Sequence, residues 1–221
     1  PFGTLSHAGP MTRTVSDAAL MLTVIAEPDA RDWYGLPYDN ADYSNSIDGK
    51  ISGLKIAFSP TLGLDTLVDA EVAEAVSNAA QQFADLGASV ETIDINWPVP
   101  PRDILMILFT SSAAKLMSML TEEQRSKIEP TLTAMATEGK KIDMLSLKTA
   151  ELDRVANGIY MNNVLAQYDV LLCPTLPVLA FDAGQPCPND YVDDPFGWIP
   201  FTPPFNLTGQ PAASIPCGFS D

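Results

Sequence analysis

The side chains that could act as nucleophiles, bases or metal ligands are few and scattered in this sequence. It has one histidine, His7, beside Ser6 in a predicted opening loop. The three cysteines, Cys173, Cys187 and Cys217, form no C-x-x-C pair. A catalytic cysteine needs a histidine partner, and a structural zinc site needs four Cys or His ligands. We therefore expect free thiols, a structural or solvated His7, no metal site and no disulfide framework.

The hydroxyl and carboxyl groups also form no local catalytic motif. The sequence lacks G-x-S-x-G, G-x-x-x-x-G-K-[ST], G-x-G-x-x-G and H-E-x-x-H. Ser111 and Ser112 lie inside an apolar helical pattern with no glycine beside them. Glu122 and Glu123 begin a predicted helix, where carboxylates are stabilised by the helix dipole. The aspartates between residues 190 and 194 lack the Gly and Glu of a calcium loop, so we expect a solvated acidic face.

Composition and charge narrow the class of protein. The 221 residues are 46% apolar and 18% charged, with a net charge of −16. This balance excludes a disordered chain, and the acidity opposes binding to nucleic acid or to an anionic membrane. The longest aliphatic-aromatic run, residues 104–109, is too short to span a bilayer. With free thiols and no signal-peptide pattern, the sequence predicts a cytoplasmic protein.

The first half of the sequence predicts a strand–helix–strand unit. A helix starts after Thr14, with one apolar face expected to be buried, and a polar loop follows over residues 28–53. Residues 54–58 read as a strand, Asp69 caps a second helix that stops at Gly87, and residues 90–95 alternate as a strand. A helix between two strands is typical of a parallel crossover, so we predict an α/β fold.

The second half predicts three helical regions and then irregular chain. The helices are expected over residues 103–120, 122–139 with a break near Pro130, and 146–168. Residues 170–173 form an apolar run typical of a strand buried on both faces. Ten of the 19 prolines lie between residues 174 and 216, which predicts loops of the kind that form pockets. A last buried strand is expected over residues 212–215.

Three stretches resemble the amidase signature family. Residues 9–20 (GPMTRTVSDAAL) resemble the segment that follows its catalytic serine. Residues 168–175 (YDVLLCPT) match its Y-D-x-L-x-x-P-T strand. Residues 205–218 (FNLTGQPAASIPCG) match its F-N-x-x-G-x-P-A-x-S-x-P-x-G block. The three occur in the family's order and extend over nearly the whole chain, with the predicted strand–helix–strand unit between them.

The resemblance implies an amide hydrolase that needs no metal or cofactor. The family uses a serine nucleophile, a second serine on a cis peptide bond and a lysine, and backbone N–H groups hold the oxyanion. These residues would lie before residue 1, so no catalytic residue is assigned within this chain. The resemblance thus implies that residues 1–221 are a single domain, the later half of an amidase truncated at both ends. Its fold would be part of an α/β/α sandwich, a mixed central sheet flanked by helices.

The resemblance also implies a substrate pocket on the proline-rich segment. The candidate substrate-binding residues are Thr175, Trp198, Phe201, Thr202 and Asn206. For Trp198 and Phe201 the alternative is packing under a long loop, and for Asn206 it is hydrogen bonding to loop backbone.

Three functions follow as hypotheses. The first is an amidase that converts a small-molecule carboxamide into a carboxylate and ammonia or an amine. The second is the amidase subunit that supplies ammonia for transfer-RNA amidation. That subunit has an aspartate seven residues before the asparagine of the last motif, where Ile199 lies here. The third is a non-catalytic binding or scaffold domain. We also expect open sheet edges to favour a homo-oligomer.

Overall fold

The fold divides into two compact units. The computed structural model describes residues 4–32, 34–35, 37–194 and 196–220. The small unit is Ser6–Ile51, and the large unit is Ser52–Asp221 with Pro1–Leu5. The organisation as a single domain stays a prediction.

The small unit contains the predicted first helix, α1 (Val15–Ile25). The Thr14 hydroxyl caps it by accepting a hydrogen bond from the Asp17 N–H at 3.1 Å, as expected. A 3-10 turn, Tyr43–Ser46, interrupts the predicted loop. The prediction of a buried apolar face is wrong, because Ala19 is buried whereas Val15, Leu22 and Ile25 are exposed. A single short turn is too small to cover a helix face.

The large unit contains a parallel sheet of three strands. β1 (Lys55–Phe58) lies between β2 (Ser89–Thr92) and β3 (Val170–Leu172). Ile56 pairs with Val90 on one side and with Val170 on the other. The helix α2 (Ala70–Asp85) connects β1 to β2. The predicted crossover and the α/β class are confirmed, and every strand pair among the described residues is parallel.

Local capping explains where α2 begins and ends. The Asp69 carboxylate accepts a hydrogen bond from the Glu71 N–H at 2.9 Å. Gly87, with φ of 94°, follows the helix in the left-handed region that glycine adopts without strain.

Five further helices follow along the chain, and the first four lie close to the predicted helical regions. They are α3 (Pro101–Met119), α4 (Glu122–Arg125), α5 (Pro130–Gly139), α6 (Met144–Leu165) and α7 (Pro203–Thr208). Pro130 begins α5, where its missing N–H costs nothing. The helix α7 corrects the expectation of wholly irregular chain, because Pro203 also occupies a first-turn position. Gly209, with φ of 80°, ends α7.

Two predictions about strands are wrong. Residues 212–215 form no strand and are exposed. The strand β3 is half-buried rather than buried on both faces, and Val170 is 45% exposed. Both errors have one cause: β3 lies at an edge of the sheet, and no described strand pairs with its free side. An apolar run can predict a strand but not the neighbour that would cover it.

The core of the large unit lies between the sheet end and the helices. One cluster contains Leu62, Ile95, Met161 and Phe201. A second cluster lies between α3, α6 and α7, and a third lies between α3 and α5. No helix among the described residues is long and apolar enough to cross a membrane.

Candidate functional site

The large unit has a cleft at the carboxyl ends of its three parallel strands. It has a volume of about 780 Å³ and is lined by residues 64–69 after β1, Pro100 after β2, and Pro177 and Val178 after β3. Ligands of open α/β sheets bind outside the carboxyl ends of the strands. A volume of several hundred Å³ also suits a small molecule. The topology therefore makes this cleft the candidate functional site.

The walls of the cleft are mainly apolar. The aliphatic and aromatic side chains include Leu64, Leu105, Val178, Phe196 and Ile199. Six prolines also line it, at positions 100, 101, 177, 200, 203 and 204. Proline fixes its own φ, so these walls have fewer backbone conformations open to them than ordinary loops have. A largely preformed apolar cleft can bind an uncharged organic group without a large ordering cost.

Aspartates give the cleft an acidic edge. Asp65, Asp69, Asp190 and Asp194 all line it, together with Arg102. Arg102 forms an ion pair with Asp194 at 2.5 Å, and both side chains are about half exposed. Such a pair contributes little stability because water screens it. The excess of carboxylates lowers the local concentration of anionic ligands.

Three of the predicted substrate-binding residues lie in α7 or in the two residues before it, and each has a structural partner. The Asn206 amide nitrogen donates to the Leu5 carbonyl at 2.6 Å, so it satisfies loop backbone. Thr202 is exposed, and its carbonyl accepts the Asn206 N–H at 3.5 Å. Phe201 is 1% exposed in the core cluster with Leu62 and Met161.

The other two candidates contact residues outside the cleft. The Thr175 and Ser214 hydroxyl oxygens lie 2.8 Å apart and share a hydrogen bond. The Trp198 ring packs edge-to-face against Phe181, with ring centroids 5.2 Å apart. None of the five predicted residues lines the cleft. Their assignment to substrate binding stays a prediction.

Sequence reasoning missed most of the cleft-lining residues. Leu64 and Asp65 lie in the loop after the predicted first strand, and Leu105 lies on the apolar face of α3. The available signal was positional, since loops after parallel strands gather at one sheet edge. Ile199, which the sequence analysis singled out, does line the cleft.

Two serine hydroxyls outside the cleft, those of Ser111 and Ser146, form hydrogen bonds that do not activate them. The Ser111 hydroxyl donates to the Leu108 carbonyl at 3.0 Å, an ordinary bond within a helix. The Ser146 hydroxyl donates to the Asp143 carboxylate at 3.1 Å at the start of α6. The Ser146 backbone N–H, and then its hydroxyl, lower the pKa of Asp143, which makes that carboxylate a weaker base. Neither arrangement activates a hydroxyl.

The thiol nearest the strand ends is also unreactive. Burial raises the pKa of the Cys173 thiol to about 11, so it carries its proton at neutral pH. Within residues 4–32, 34–35, 37–194 and 196–220, no three His, Cys, Asp or Glu side chains are grouped to hold a metal ion.

Comparison with known proteins gives one consistent set of matches. The family model described as Amidase matches residues 2–221. An acylamidase of Rhodococcus erythropolis is 29% identical over an alignment of 221 positions, which covers 97% of this chain and 46% of that protein. The A subunit of the glutamyl-tRNA(Gln) amidotransferase of Staphylococcus saprophyticus is 29% identical over an alignment of 247 positions including gaps, which covers 98% of this chain and 49% of that protein. The chain spans about half the length of these curated relatives.

Solved structures agree with the sequence matches. The crystal structure of a bacterial aryl acylamidase superposes with a TM-score of 0.79 at 30% identity, covering 96% of this chain and 46% of that one. The crystal structure of the glutamyl-tRNA(Gln) amidotransferase A subunit of Thermotoga maritima superposes with a TM-score of 0.73 at 28% identity. The superposition covers 96% of this chain and 46% of that one.

Proposed function

Because this chain belongs to the amidase family, we propose that it supplies the substrate cleft of an amide hydrolase. The extent of the family match supports the proposal, because the family model matches residues 2–221. The similarity to the crystal structure of an aryl acylamidase supports it independently. The apolar cleft at the strand ends is consistent with a small organic amide as the substrate.

We propose that the nucleophile comes from outside residues 1–221. Ser111 and Ser146 are engaged in helix structure, and the Cys173 thiol is protonated at neutral pH. In the family's reaction a serine oxygen attacks the amide carbon, and the C–N bond breaks as a proton passes to the leaving nitrogen. Water then cleaves the acyl-enzyme, which releases the carboxylate and restores the serine hydroxyl. In this proposal, residues 1–221 bind and orient the amide substrate.

We propose that the whole protein acts on small-molecule amides in the cytoplasm, without a metal or organic cofactor. The three cysteines, which the structure describes as free thiols, support a reducing compartment. The outer edges of β2 and β3, which pair with no strand in the part of the chain that the structure describes, support self-association of the isolated chain.

The apolar cleft favours uncharged amides over glutamine. Ile199 lies in the cleft wall, at the position where the transfer-RNA subunit has an aspartate for the substrate ammonium. Ile199 offers no carboxylate at that position, and the aspartates lie at the edge of the cleft, so an ammonium group held against the apolar wall beside Ile199 costs several kcal/mol. We expect the whole protein to prefer an aryl or aliphatic amide over glutamine by at least about a hundredfold in kcat/KM.

Steady-state turnover of an anilide and of glutamine by the whole protein measures this preference. Ile199→Asp should lower the ratio, whereas Ile47→Asp, a matched control at an exposed position of the small unit, should leave it unaltered. Faster turnover of glutamine by the unmodified protein would reject this function for the cleft.

The second candidate is the transfer-RNA amidotransferase subunit. Its sequence match is as extensive as that of the acylamidase, with 29% identity over 98% of the chain. Glutamine-dependent ammonia release that requires partner subunits would favour it over an amidase acting alone. A non-catalytic binding domain, the third candidate, would bind amides in the whole protein without hydrolysing them.

A further inference from the structure

The helix α6 presents a row of polar side chains to the loops that form the cleft. Arg154, Asn157 and Tyr160 are three residues apart and therefore neighbours on one side of the helix. Each makes a hydrogen bond to backbone atoms far away in the sequence. These contacts connect one rigid element to two different walls of the cleft.

Asn157 anchors the wall that follows β2. Its side chain is fully buried, donates to the Val99 carbonyl at 2.8 Å and accepts the Val99 N–H at 3.1 Å. Val99 precedes Pro100 and Pro101, which line the cleft and have no N–H of their own. Val99 is therefore the last residue before the two prolines with a backbone N–H, and both of its backbone groups are bound by Asn157.

Tyr160 supports the same wall from the next turn of α6. Its hydroxyl oxygen accepts the Asn96 N–H at 2.8 Å. The neighbouring Trp97 ring lies 6.1 Å from the Tyr160 ring and donates its indole N–H to the Leu62 carbonyl at 2.8 Å. The segment after β2 is thus attached at residues 96, 97 and 99.

Arg154 anchors a second wall of the cleft through α7. Its guanidinium donates to the Leu207 carbonyl at 2.5 Å and to the Asn206 carbonyl at 3.4 Å. It also donates to the Thr4 hydroxyl at 2.6 Å and to the Thr4 carbonyl at 3.0 Å. The last carbonyls of a helix have no partner within it, so the arginine supplies one.

The position of α7 matters because its first turn forms part of the cleft. Pro203 and Pro204 line the cleft, while Asn206 and Leu207, one turn later, are the residues held by Arg154. A helix of six residues is not stable alone, so its place depends on such contacts.

We propose that Arg154 and Asn157 are positioning residues that set the spacing between the two walls of the cleft. They attach the α7 wall and the wall after β2 to successive turns of the same helix. The width of the cleft, and hence the size of amide that fits, then depends on these two side chains. The last step rests on the proposed function, whereas the positioning itself does not.

Hydrogen exchange of backbone amides in this chain tests the positioning without any activity. Arg154→Lys keeps the charge but loses the planar fork that reaches several carbonyls. Asn157→Leu keeps the volume but leaves both Val99 backbone groups unpaired. We expect exchange to rise about tenfold over residues 205–209 in the first variant and at residues 96, 97 and 99 in the second, the scale of one lost hydrogen bond. Exchange over α2 should not change.

The matched controls lie on exposed positions of α6. Lys148→Arg and Asn163→Leu make comparable changes where no cleft loop is attached, and both should leave the exchange of the two walls unaltered. Unchanged exchange over residues 205–209 in folded Arg154→Lys would overturn the proposal, even if Asn157→Leu failed to fold.

Size selectivity in the whole protein tests the functional consequence. The ratio of kcat/KM for a bulky over a small anilide should change at least about fivefold in either variant, mostly through KM. A merely structural loss would lower both rates together and leave the ratio unchanged, which would refute the link to selectivity. If the unmodified protein hydrolyses no amide, the proposed function fails, and the exchange result alone decides the positioning.

Discussion

Replacing Gly139 with alanine should destabilise the chain by about 3 kcal/mol, although alanine is the better helix former. A Cβ at this last residue of α5 would lie 1.9 Å from the Thr110 carbonyl oxygen and 2.9 Å from the Ser111 nitrogen. Both are backbone atoms of α3, so no side-chain rotation relieves the overlap. The two helices must move apart, and the core between Ala113 and Ala136 opens with them.

Gly158 provides the matched control, because the same substitution there should raise the free energy of unfolding instead of lowering it. It lies within α6, and an added Cβ would have no atom within 4 Å apart from its chain neighbours and the nearby backbone of its own helix. Alanine should therefore stabilise the chain by about 0.5–1 kcal/mol through helix propensity. Urea unfolding followed by circular dichroism measures both variants. Similar midpoints for the two would show that α3 and α5 are not in close backbone contact.

Replacing Phe201 with alanine should cost about 4 kcal/mol of folding free energy. The ring is 1% exposed and packs against Leu62, Ile95 and Met161, so its removal leaves a cavity where these elements meet. Phe219 is fully exposed, and its replacement with alanine should change stability by less than about 0.5 kcal/mol.

This pair also separates two roles for Phe201. A core role predicts the loss of stability with KM unchanged wherever the whole protein remains folded. A role in direct substrate contact predicts a raised KM with little loss of stability. Thermal unfolding and steady-state kinetics on the same two variants distinguish the roles.

The elements that sequence analysis found correctly are those with local causes. Thr14, Asp69 and Gly87 begin or end helices through bonds and dihedral angles within a few residues of the chain. Pro130 separates α4 from α5 for an equally local reason. Such features are visible in the sequence because they do not depend on the rest of the fold.

The errors concern features that depend on distant neighbours. An apolar run at residues 212–215 does not reveal that no described strand lies beside it. The apolar side of α1 reads as buried because periodicity shows which residues share a face, not what covers that face. The cleft is harder still, since Leu64, Pro100 and Val178 meet only because three strands separated in sequence run parallel.

The residues of the recognised motifs illustrate the same limit. Thr175 and Asn206 stand out in the sequence, and the structure gives each a defined hydrogen bond. Arg154, by contrast, lies in an unremarked part of a long helix, and its four bonds join segments about 50 and 150 residues away. Sequence spacing alone cannot predict bonds of such range.

Labelling with a fluorophosphonate serine probe tests most directly the central claim that this chain provides the cleft and not the nucleophile. We expect the whole protein to be labelled at one serine outside residues 1–221, with loss of amide turnover. The 221-residue chain alone should remain unlabelled and inactive. Stoichiometric labelling of a serine within residues 1–221, with turnover abolished when that serine is changed to alanine, would contradict the claim.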